Sequence, residues 1–539
     1  MAFIVKKKIS GNEYYYLVER NREGNKVKSK TIAYLGKTKE GAEEKMKEIL
    51  KEKNVKEKDM NIEGLANFCK LKGFVFRSSD IYGGFGGFWD FGPLGVELLN
   101  NIKREWWRYF VQEKENVIGM EGSVISHPRT WKASGHITSF KDIAVVCKKC
   151  KKATKLDESE FGKVKCECGG DYLKQGVFNL LFKTNVGALN SEEAYLRGET
   201  AQSMFMNFKL IQQTSRMKLP FGIAQIGRCF RNEIAPRDFL FRCREFHIGE
   251  LEFFLNPDEK KCSVLEKKHL NLKIKFLDAE TQERGKDILK EVKINDLIKS
   301  KKIEEWHAYW LAEQILWLKT FELSEIKIRE HTKEELSHYS SATFDIDYTF
   351  PFGSKEITGI ANRGQYDLTQ HQNESKQNLE IFDEKTGKKV LPKVIEPTFG
   401  IERIFLAVIT KAYAYDKKRD YVVLKLPLKL SPIKAAIFPL INKPEFEKLA
   451  KEVFENLKKE FNVTYDSGGS IGRRYARNDE IGTPYCITID GDSLRKKDVT
   501  IRNRDDTKQI RVKIKYLREV LFKLIHDEIK FKDAGVFVK

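Results

Sequence analysis

Residues Phe221–Leu255 read FGIAQIGRCF RNEIAPRDFL FRCREFHIGE LEFFL, and the fold turns on how this stretch is read. Apolar residues alternate through Ile223–Phe230, the period of a half-buried strand. Arg231-Asn232-Glu233 follows, then a loop-like run, Ala235-Pro236-Arg237-Asp238, and Phe241–Phe254 reads as the return strand. An antiparallel hairpin sets alternate residues on one face, so Arg231, Glu233 and Arg244 are expected to converge on one ligand. Arg228, Arg237 and Arg242 add cations, Glu245, Glu250 and Glu252 add carboxylates, and Phe230, Phe239, Phe241, Phe246, Phe253 and Phe254 lie between them. Arginine suits bidentate phosphate contacts. A carboxylate suits an amino-group donor or a metal, and an aromatic ring suits base stacking. A salt-laced surface hairpin is the plainer reading of any single charge pair; the whole set together points to a binding site.

The rest of the chain sets bounds on that site. With 539 residues it has room for roughly three or four domains of about 150 residues each. Hydrophobic residues make up 41% and charged residues 33%, enough apolar material for a large core. Lys and Arg exceed Asp and Glu by 98 to 78, a net charge of +20 that favours nucleic acid as partner, with an anionic membrane second. No run of about 18 apolar residues exists to form a transmembrane helix. The N-terminal MAFIVKKKISGNEYYYLVE lacks the apolar segment and cleavage site of a secretory signal, so a cytoplasmic protein is expected. Nine cysteines in such a chain are not a disulfide framework.

Five further regions carry signals. Residues 1–58 read as a small basic strand–strand–helix module. Its strands are Glu13–Glu19 and Ser29–Gly36, joined by a turn at Gly24 and followed by an amphipathic helix over Lys39–Lys56. The module looks like the small N-terminal module of some transposases; a nucleic-acid-touching appendage and a solvated solubility module both fit. Tyr82–Pro93 interleaves glycine with aromatics but lacks the Gly-Lys-Ser/Thr of a phosphate loop, so close backbone approach to another surface is the expected role. Pro93 starts a helical pattern whose broad apolar face suggests a buried or intersubunit position. Cys147-x2-Cys150 and Cys166-x-Cys168 resemble a zinc ribbon with four sulfur ligands, free thiols or a degenerate ribbon being the alternative. Residues 256–340 are Lys-rich with helical periodicity, and from Tyr421 strands alternate with helices as in a separate α/β domain.

Several of these motifs together resemble a known family. Phe230–Glu233 with Phe241–Phe246 is similar to motif 2 of the class II aminoacyl-tRNA synthetases, Glu396–Arg403 to motif 3, and Gly92–Gly95 with its helix to motif 1, the dimer interface of that class. Ser134-Gly135-His136, Arg197–Gln202, Glu356–Arg363, Tyr366-Asp367-Leu368 and His371 resemble the dimeric glycyl-tRNA synthetases; both histidines read as scaffold rather than as general bases. The C-terminal part, with Ser467–Tyr475, Gly482–Tyr485 and Val499–Arg504, resembles an anticodon-binding domain whose basic and aromatic side chains suit RNA.

The resemblance implies an α+β, multidomain architecture. Its parts are the N-terminal module (1–58), a class II catalytic core on an antiparallel sheet flanked by helices (59–415) and an anticodon-binding α/β domain (416–539). A zinc-ribbon-like insertion (146–175) and a mainly helical one (256–340) interrupt the core. The implied activity is glycine–tRNA ligation, with ATP as substrate, Mg²⁺, a structural Zn²⁺ on Cys147, Cys150, Cys166 and Cys168, tRNA(Gly) as partner, and a homodimer with no membrane association. A catalytically inactive, nucleic-acid-binding accessory protein is the alternative. The implied catalytic residues are Arg231, Glu233 and Arg403. Around ATP stand Arg231, Asn232, Glu233, Phe241, Arg242, Cys243, Arg244, Glu245, Phe246, Glu356, Ile357, Gly400, Ile401, Glu402 and Arg403. Around glycine stand Glu199, Phe246, His247, Ile248, Gly249, Glu250, Glu396, Pro397, Thr398, Phe399 and Gly400. Thr398 stands where the family usually has Ser.

Overall fold

The computed structural model describes residues 2–9, 12–23, 26–39, 41–43, 45–46, 61–156, 161–337 and 339–538. The chain forms two units, one of Met1–Leu65 with Tyr415–Val422 and one of Ala66–Ala414 with Val423–Lys539. The first unit holds a three-stranded antiparallel sheet, Ala2–Ile9, Asn12–Glu23 and Lys26–Gly36, in that order. Two strands were expected here. The first one, AFIVKKKI, is hidden in the sequence because three consecutive lysines break its apolar alternation. One face of this sheet packs Ile4, Tyr15, Leu17, Ala33 and Leu35 against Ala42 and Met46. Residues 41–43 and 45–46 are helical; the rest of the expected helix beyond Met46, and the turn at Gly24, lie outside the described residues.

The second unit is organised by a nine-stranded sheet. Its strands are β1 (Val117–Gly119), β2 (Phe221–Phe230), β3 (Glu245–Leu255), β4 (Lys273–Leu277), β5 (Lys290–Lys293), β6 (Ile326–Glu330), β7 (Ala342–Phe350), β8 (Gly353–Gly364) and β9 (Lys393–Gly400). They lie in the order β5-β4-β6-β7-β8-β9-β3-β2-β1. Every pairing is antiparallel except β1 with β2 and β4 with β6. The region 256–340 therefore supplies three strands of the central sheet as well as helices. KIKFL, KEVK and IKIRE are too short to declare a period of two, and their regularly spaced lysines read as helical in a longer window.

Strand alternation gives the sheet two unlike faces. On one face Phe253 meets Trp306 and Trp310 at 4.8 and 5.0 Å between ring centroids. Phe399 meets Trp106, Phe110 and Trp317 at 5.6, 4.7 and 5.5 Å. These rings come from helix α1 (Pro93–Trp107), the turn after it, and helix α3 (Glu305–Lys319). α3 is apolar on all sides and buried accordingly. Much of the α1 apolar face is likewise spent inside the chain, on Leu98, Leu99, Ile102 and Trp106. The other face is polar where β3 and β9 run side by side and becomes apolar under helix α2 (Ala201–Ser215), whose Phe205 and Phe208 pack on Phe254. Helix α4 (Tyr366–Ser375) follows β8, and α5 (Ile401–Ala412) follows β9.

The insertion after β1 is a three-stranded antiparallel sheet of Lys141–Cys147, Ala153–Leu156 and Tyr172–Asn179. The C-terminal part holds a six-stranded sheet of Ala435–Pro439, Val463–Tyr465, Tyr485–Ile489, Asp498–Asn503, Gln509–Lys513 and Val536–Phe537. Its first strand lies parallel to both neighbours and the later pairs are antiparallel. Helices Pro444–Leu457 and Leu517–Ile525 close its core. Among the described residues no helix is long and apolar enough to cross a membrane.

Trp310 is 1% exposed and couples α3 to β3. Trp310→Ala is expected to cost about 3–5 kcal/mol and to lower the Tm of the catalytic core in calorimetry. An unchanged Tm would contradict this packing.

Candidate active site

β2 and β3 pair from Phe221 with Phe254 to Phe230 with Glu245, so the return strand starts four residues later than the sequence pattern suggests. The intervening loop is pinned at its neck by Arg231 N donating to Arg244 O at 2.9 Å. The Arg244 guanidinium is consumed by carbonyls: Nε and Nη2 donate to Glu233 O at 3.0 and 2.8 Å, and Nη1 to Gly86 O at 3.0 Å. Arg244 braces the loop, and the expected convergence reduces to Arg231 and Glu233. The glycine-rich run is the brace's other half. Gly87 adopts φ +79°, accepts from Arg244 N at 2.8 Å, and leaves no room for a Cβ, which would stand 2.7 Å from Pro236.

A cavity of about 130 Å³ lies against this loop, lined by Arg231, Glu233, Leu240, Phe241, Arg242, Cys243, Phe246, His247, Ile248, Glu356, Thr398, Gly400, Glu402 and Arg403. Arg231 sits between the Phe140 and Phe246 rings, 5.3 and 5.5 Å from their centroids, with Nε donating to Gly198 O at 3.1 Å. Arg242 Nε is 2.9 Å from Glu233 Oε2. Arg403 lies over the Phe241 ring at 4.5 Å and donates from Nη1 to Glu356 Oε2 at 2.8 Å. Glu402 takes His247 at two points, its backbone N and its ring Nδ1, both at 2.7 Å. A wider cleft of about 710 Å³ shares Arg231, Glu233, Phe241, Arg242, Glu356 and Arg403 and adds Arg237, Lys327, Arg329 and Lys355.

Other expected residues do not line this cavity. Phe399 faces the aromatic layer, and Gly249 is pressed on Trp106, where a Cβ would stand 3.0 Å from the indole. Ile357 and Ile401 are fully buried, Pro397 is buried in the sheet, Asn232 donates its backbone N to Leu180 O, and Glu245 pairs with Arg228.

Behind Thr398 the polar face of the sheet closes into a charged network. Thr398 pairs across the ladder with Glu250 on one side and Gly359 on the other. Glu250 Oε2 caps the start of α2, accepting from Thr200 N at 2.7 Å, Ala201 N at 2.8 Å and the Thr200 hydroxyl. Arg363 is the hub. It donates from Nη1 to Glu396 Oε1 at 2.7 Å, from Nε and Nη2 to Asp367 at 2.7 and 2.9 Å, and its Nη2 is 3.7 Å from Glu199 Oε1. Tyr339 covers the guanidinium at 3.8 Å. Glu199 also takes Gln202 Nε2 at 2.8 Å and stands 3.2 Å from His136 Nε2, while His371 meets Gln202 Oε1 at 2.7 Å. His136 and His371 are thus both buried and hydrogen-bonded within this network. The Arg363–Asp367 fork was not expected; an arginine and an aspartate four apart across a strand-to-helix turn are the signal that points to it.

Glu252, one of the carboxylates the sequence placed in the hairpin, also belongs to this face. It is wholly buried and neither oxygen has a hydrogen-bond partner. Burial, with Glu396 next, holds its carboxyl well above the ordinary range. Burial also pushes Glu396 up to about 8, against the pull of Arg363 and with Glu250 and Glu199 adding to it. Burial raises Glu199 too, but His136 and Arg363 more than offset it and hold that carboxyl below its usual value. Burial and mutual repulsion thus favour the protonated forms of Glu252 and Glu396, while His136 and Arg363 favour the ionised form of Glu199.

Two other clusters complete the picture. The Cys147, Cys150, Cys166 and Cys168 sulfurs all lie within 4.8 Å of one another. Turns at Cys147–Lys151 and Cys166–Gly170 present them, and Gly170 admits the Cys147 sulfur where a Cβ would stand 2.7 Å away. Beside the wider cleft, Asp345 Oδ2 takes Arg329 Nη2 at 2.5 Å and His331 Nε2 at 2.8 Å, in a region whose sequence showed no such cluster. In the C-terminal part several arginines of the RNA-like motifs prove to be internal braces. Arg502 forks onto Asp479 at 2.8 and 2.9 Å, Arg504 donates to Gly482 O and Leu426 O, and Arg474 to Pro439 O.

Because Glu396 has a folded pKa above that of an exposed carboxyl, its stabilising share is complete at low pH and is lost as pH rises through about 8. The Tm of the unliganded chain is expected to fall between pH 6 and 9, and Glu396→Gln to flatten that slope. Glu252→Gln, which keeps the size and removes the buried charge, should leave Tm at pH 7 within about 2 °C, consistent with a ΔΔG near zero. A wild-type Tm independent of pH over that range would refute the protonated cluster.

Comparison with known proteins agrees with this architecture. Residues 182–413 match the tRNA synthetase class II core domain (G, H, P, S and T), and 434–524 match an anticodon binding domain. Residues 4–61 match the IS1634 family transposase N-terminal domain. The chain is 39% identical to a glycine–tRNA ligase of Borrelia hermsii over 84% of its own length and 95% of the relative's. It is 41% identical to that of Caldanaerobacter subterraneus subsp. tengcongensis, covering 86% and 99%, and 42% identical to that of Geobacillus thermodenitrificans, covering 86% and 97%. A class II core, an anticodon-binding domain and this identity over nearly the whole of each relative make the chain a member of the glycine–tRNA ligase family.

Proposed function

We propose that the chain activates glycine with ATP and passes the glycyl group to the 3′ end of tRNA(Gly), with recognition resting on Glu199, Glu250 and Glu396. The observation that carries the reading is the buried carboxylate cluster with one guanidinium among it, abutting the arginine-lined cavity at Thr398. Such a cluster lacks positive charge, and burial makes the shortage costly. An ammonium group supplies it. Glycine brings that ammonium with no side chain to house, whereas the methyl of alanine, forced against Thr398, costs roughly 1–3 kcal/mol, about tenfold to over a hundredfold in selectivity.

In this reading a glycine carboxylate oxygen attacks the α-phosphorus, the bond from that phosphorus to the bridging oxygen breaks, and pyrophosphate leaves with the electron pair. Arg231 holds the α-phosphate and stabilises charge on the five-coordinate phosphorus. Glu233 accepts from the adenine amino group and Phe246 stacks on the base. Arg403 and Arg242 hold the outer phosphates. His247, fixed by Glu402, and Ile248 form the wall nearest the reacting carboxylate. A tRNA ribose hydroxyl oxygen then attacks the acyl carbon, the bond from that carbon to the phosphate oxygen breaks, and AMP leaves with the electron pair, its phosphate taking the hydroxyl proton. No side chain acts as a nucleophile; positioning and charge do the work. Glu356, with the triphosphate oxygens, would hold Mg²⁺, a hard cation that neutralises phosphate charge.

The reading extends to three further points. Tetrahedral zinc with Zn–S of about 2.3 Å sets its sulfurs roughly 3.8 Å apart, and the Cys147–Cys168 and Cys150–Cys166 separations of 3.4 and 3.6 Å fit that spacing. Four thiolates leave no open position, so this zinc is structural. A homodimer through the α1 region is supported by the motif 1 resemblance and by the exposure of Ile81, Tyr82 and Phe85 just before it. The place of work is the cytoplasm.

ATP–pyrophosphate exchange without tRNA is expected with glycine and not with alanine, serine, threonine or proline, and Arg231→Ala should lower kcat by about 10²–10³. Exchange with another amino acid would overturn the pocket. No exchange from folded protein with Mg²⁺ present would leave the nucleic-acid-binding accessory protein as the reading. Elemental analysis should find one zinc per chain, lost in Cys147→Ser with a fall in Tm; a full complement of zinc in that variant would exclude the four-cysteine site.

A further inference from the structure

The N-terminal sheet carries aromatic rings that its own core does not use. Along Asn12–Glu23, Tyr15 and Leu17 turn into the core beside Leu35 and Ala42. Tyr14 and Tyr16 alternate to the opposite face. There Tyr34, from the neighbouring strand, stands between them, with ring centroids 6.2 and 5.4 Å away. Tyr34 is 44% exposed. Two ammonium groups frame the rings: Lys7 Nζ lies 5.1 Å from the Tyr16 centroid and Lys37 Nζ 5.7 Å from that of Tyr14. Residues 2–39 hold ten Lys or Arg against three Glu and no Asp.

We propose that this face, Tyr14, Tyr16 and Tyr34 with Lys7 and Lys37, is a stacking platform for single-stranded RNA. The chemistry selects the partner. A sheet face that sets aromatic rings side by side offers successive bases a π surface, and nearby lysines take the phosphates between them. A duplex hides its base faces and gains only the charge term. A lipid surface would want aliphatic side chains to insert, and this face presents hydroxyl-tipped rings. An acidic protein would use the lysines and leave the rings idle. The ATP- and glycine-site residues belong to the other unit, so the platform adds an RNA contact that the ligase reading does not need and does not predict.

The test uses the full chain and a fluorescein-labelled, unstructured 12-nucleotide RNA, read by anisotropy at several salt concentrations. Tyr14→Ala/Tyr16→Ala/Tyr34→Ala is expected to weaken binding at least about tenfold, since each stacked base contributes substantially, while the matching Phe triple variant stays within about twofold. Lys7→Gln/Lys37→Gln should reduce the slope of log K against log salt by about 1.4, two phosphates on a single strand. Glycine-dependent pyrophosphate exchange is expected to be unchanged in all three variants, which separates this platform from the ligase reading. Affinity unchanged in the alanine variant overturns the platform. If that variant fails to fold, an unchanged salt slope in the lysine variant overturns it. Equal affinity for a duplex of the same length also overturns it, and tighter binding of the same sequence as DNA overturns the assignment to RNA.

Discussion

Everything around the active site depends on one constraint: β3 and β9 must serve two incompatible environments at once. Residues one apart on these strands face opposite ways. Phe253 and Phe399 anchor an aromatic layer built by α1 and α3, while Glu250, Glu252, Glu396 and Thr398 form a charged floor on the reverse side. A slip of one residue in register would bury carboxylates among tryptophans and open the phenylalanines to the ligand face. The aromatic layer therefore does more than stabilise the core. It fixes the register that holds Glu250, Glu252 and Glu396 together on the opposite face.

On the charged face the second constraint is electrostatic. Glu199, Glu250, Glu252, Glu396 and Asp367 are all at least nine-tenths buried, and Arg363 is the guanidinium that touches three of them. Buried ion pairs of this kind contribute little net stability, because desolvation offsets attraction. They do fix geometry. Asp367 and Tyr339 hold Arg363 from two sides, Gln202 ties Glu199 to Asp367, and the α2 N-terminus holds Glu250. The cluster is held rigidly although its carboxylates outnumber the cations beside them.

How much of this could be read from the chain follows the range of the interactions. Phe221–Leu255 announced its hairpin because both strands and their loop are contiguous, and Arg231, Glu233, Phe246 and Arg403 fell in recognisable local motifs. Arg244 was misread for an equally local reason: its spacing matches that of Arg231 and Glu233, but its partners are carbonyls of Glu233 and Gly86, which composition cannot reveal. Short strands such as KIKFL and KEVK were missed because their pairing partners are remote and four or five residues do not establish a period. Gly249 and Phe399 sit inside the right motifs yet point away from the cavity. A motif marks a segment, and only the pleat decides which half of it faces the ligand.

The same distinction revises what the positive charge is for. A surplus of +20 suggests an RNA-binding surface, but arginines are a poor guide to where it lies. Arg197, Arg363, Arg474, Arg502 and Arg504 are each more than nine-tenths buried. Each is consumed by carbonyls or carboxylates: Arg197 on Arg228 O and Gly122 O, Arg502 on Asp479, Arg474 on Pro439 O. The planar fork of arginine suits such internal work, whereas the compact, strongly hydrated ammonium of lysine is kept at the surface. These five arginines are therefore not part of the charge the surface presents. Lysine contacts attract any phosphate backbone alike and lose affinity steeply with salt. Base discrimination in general needs rings that stack and edges that hydrogen-bond, which charge alone does not supply.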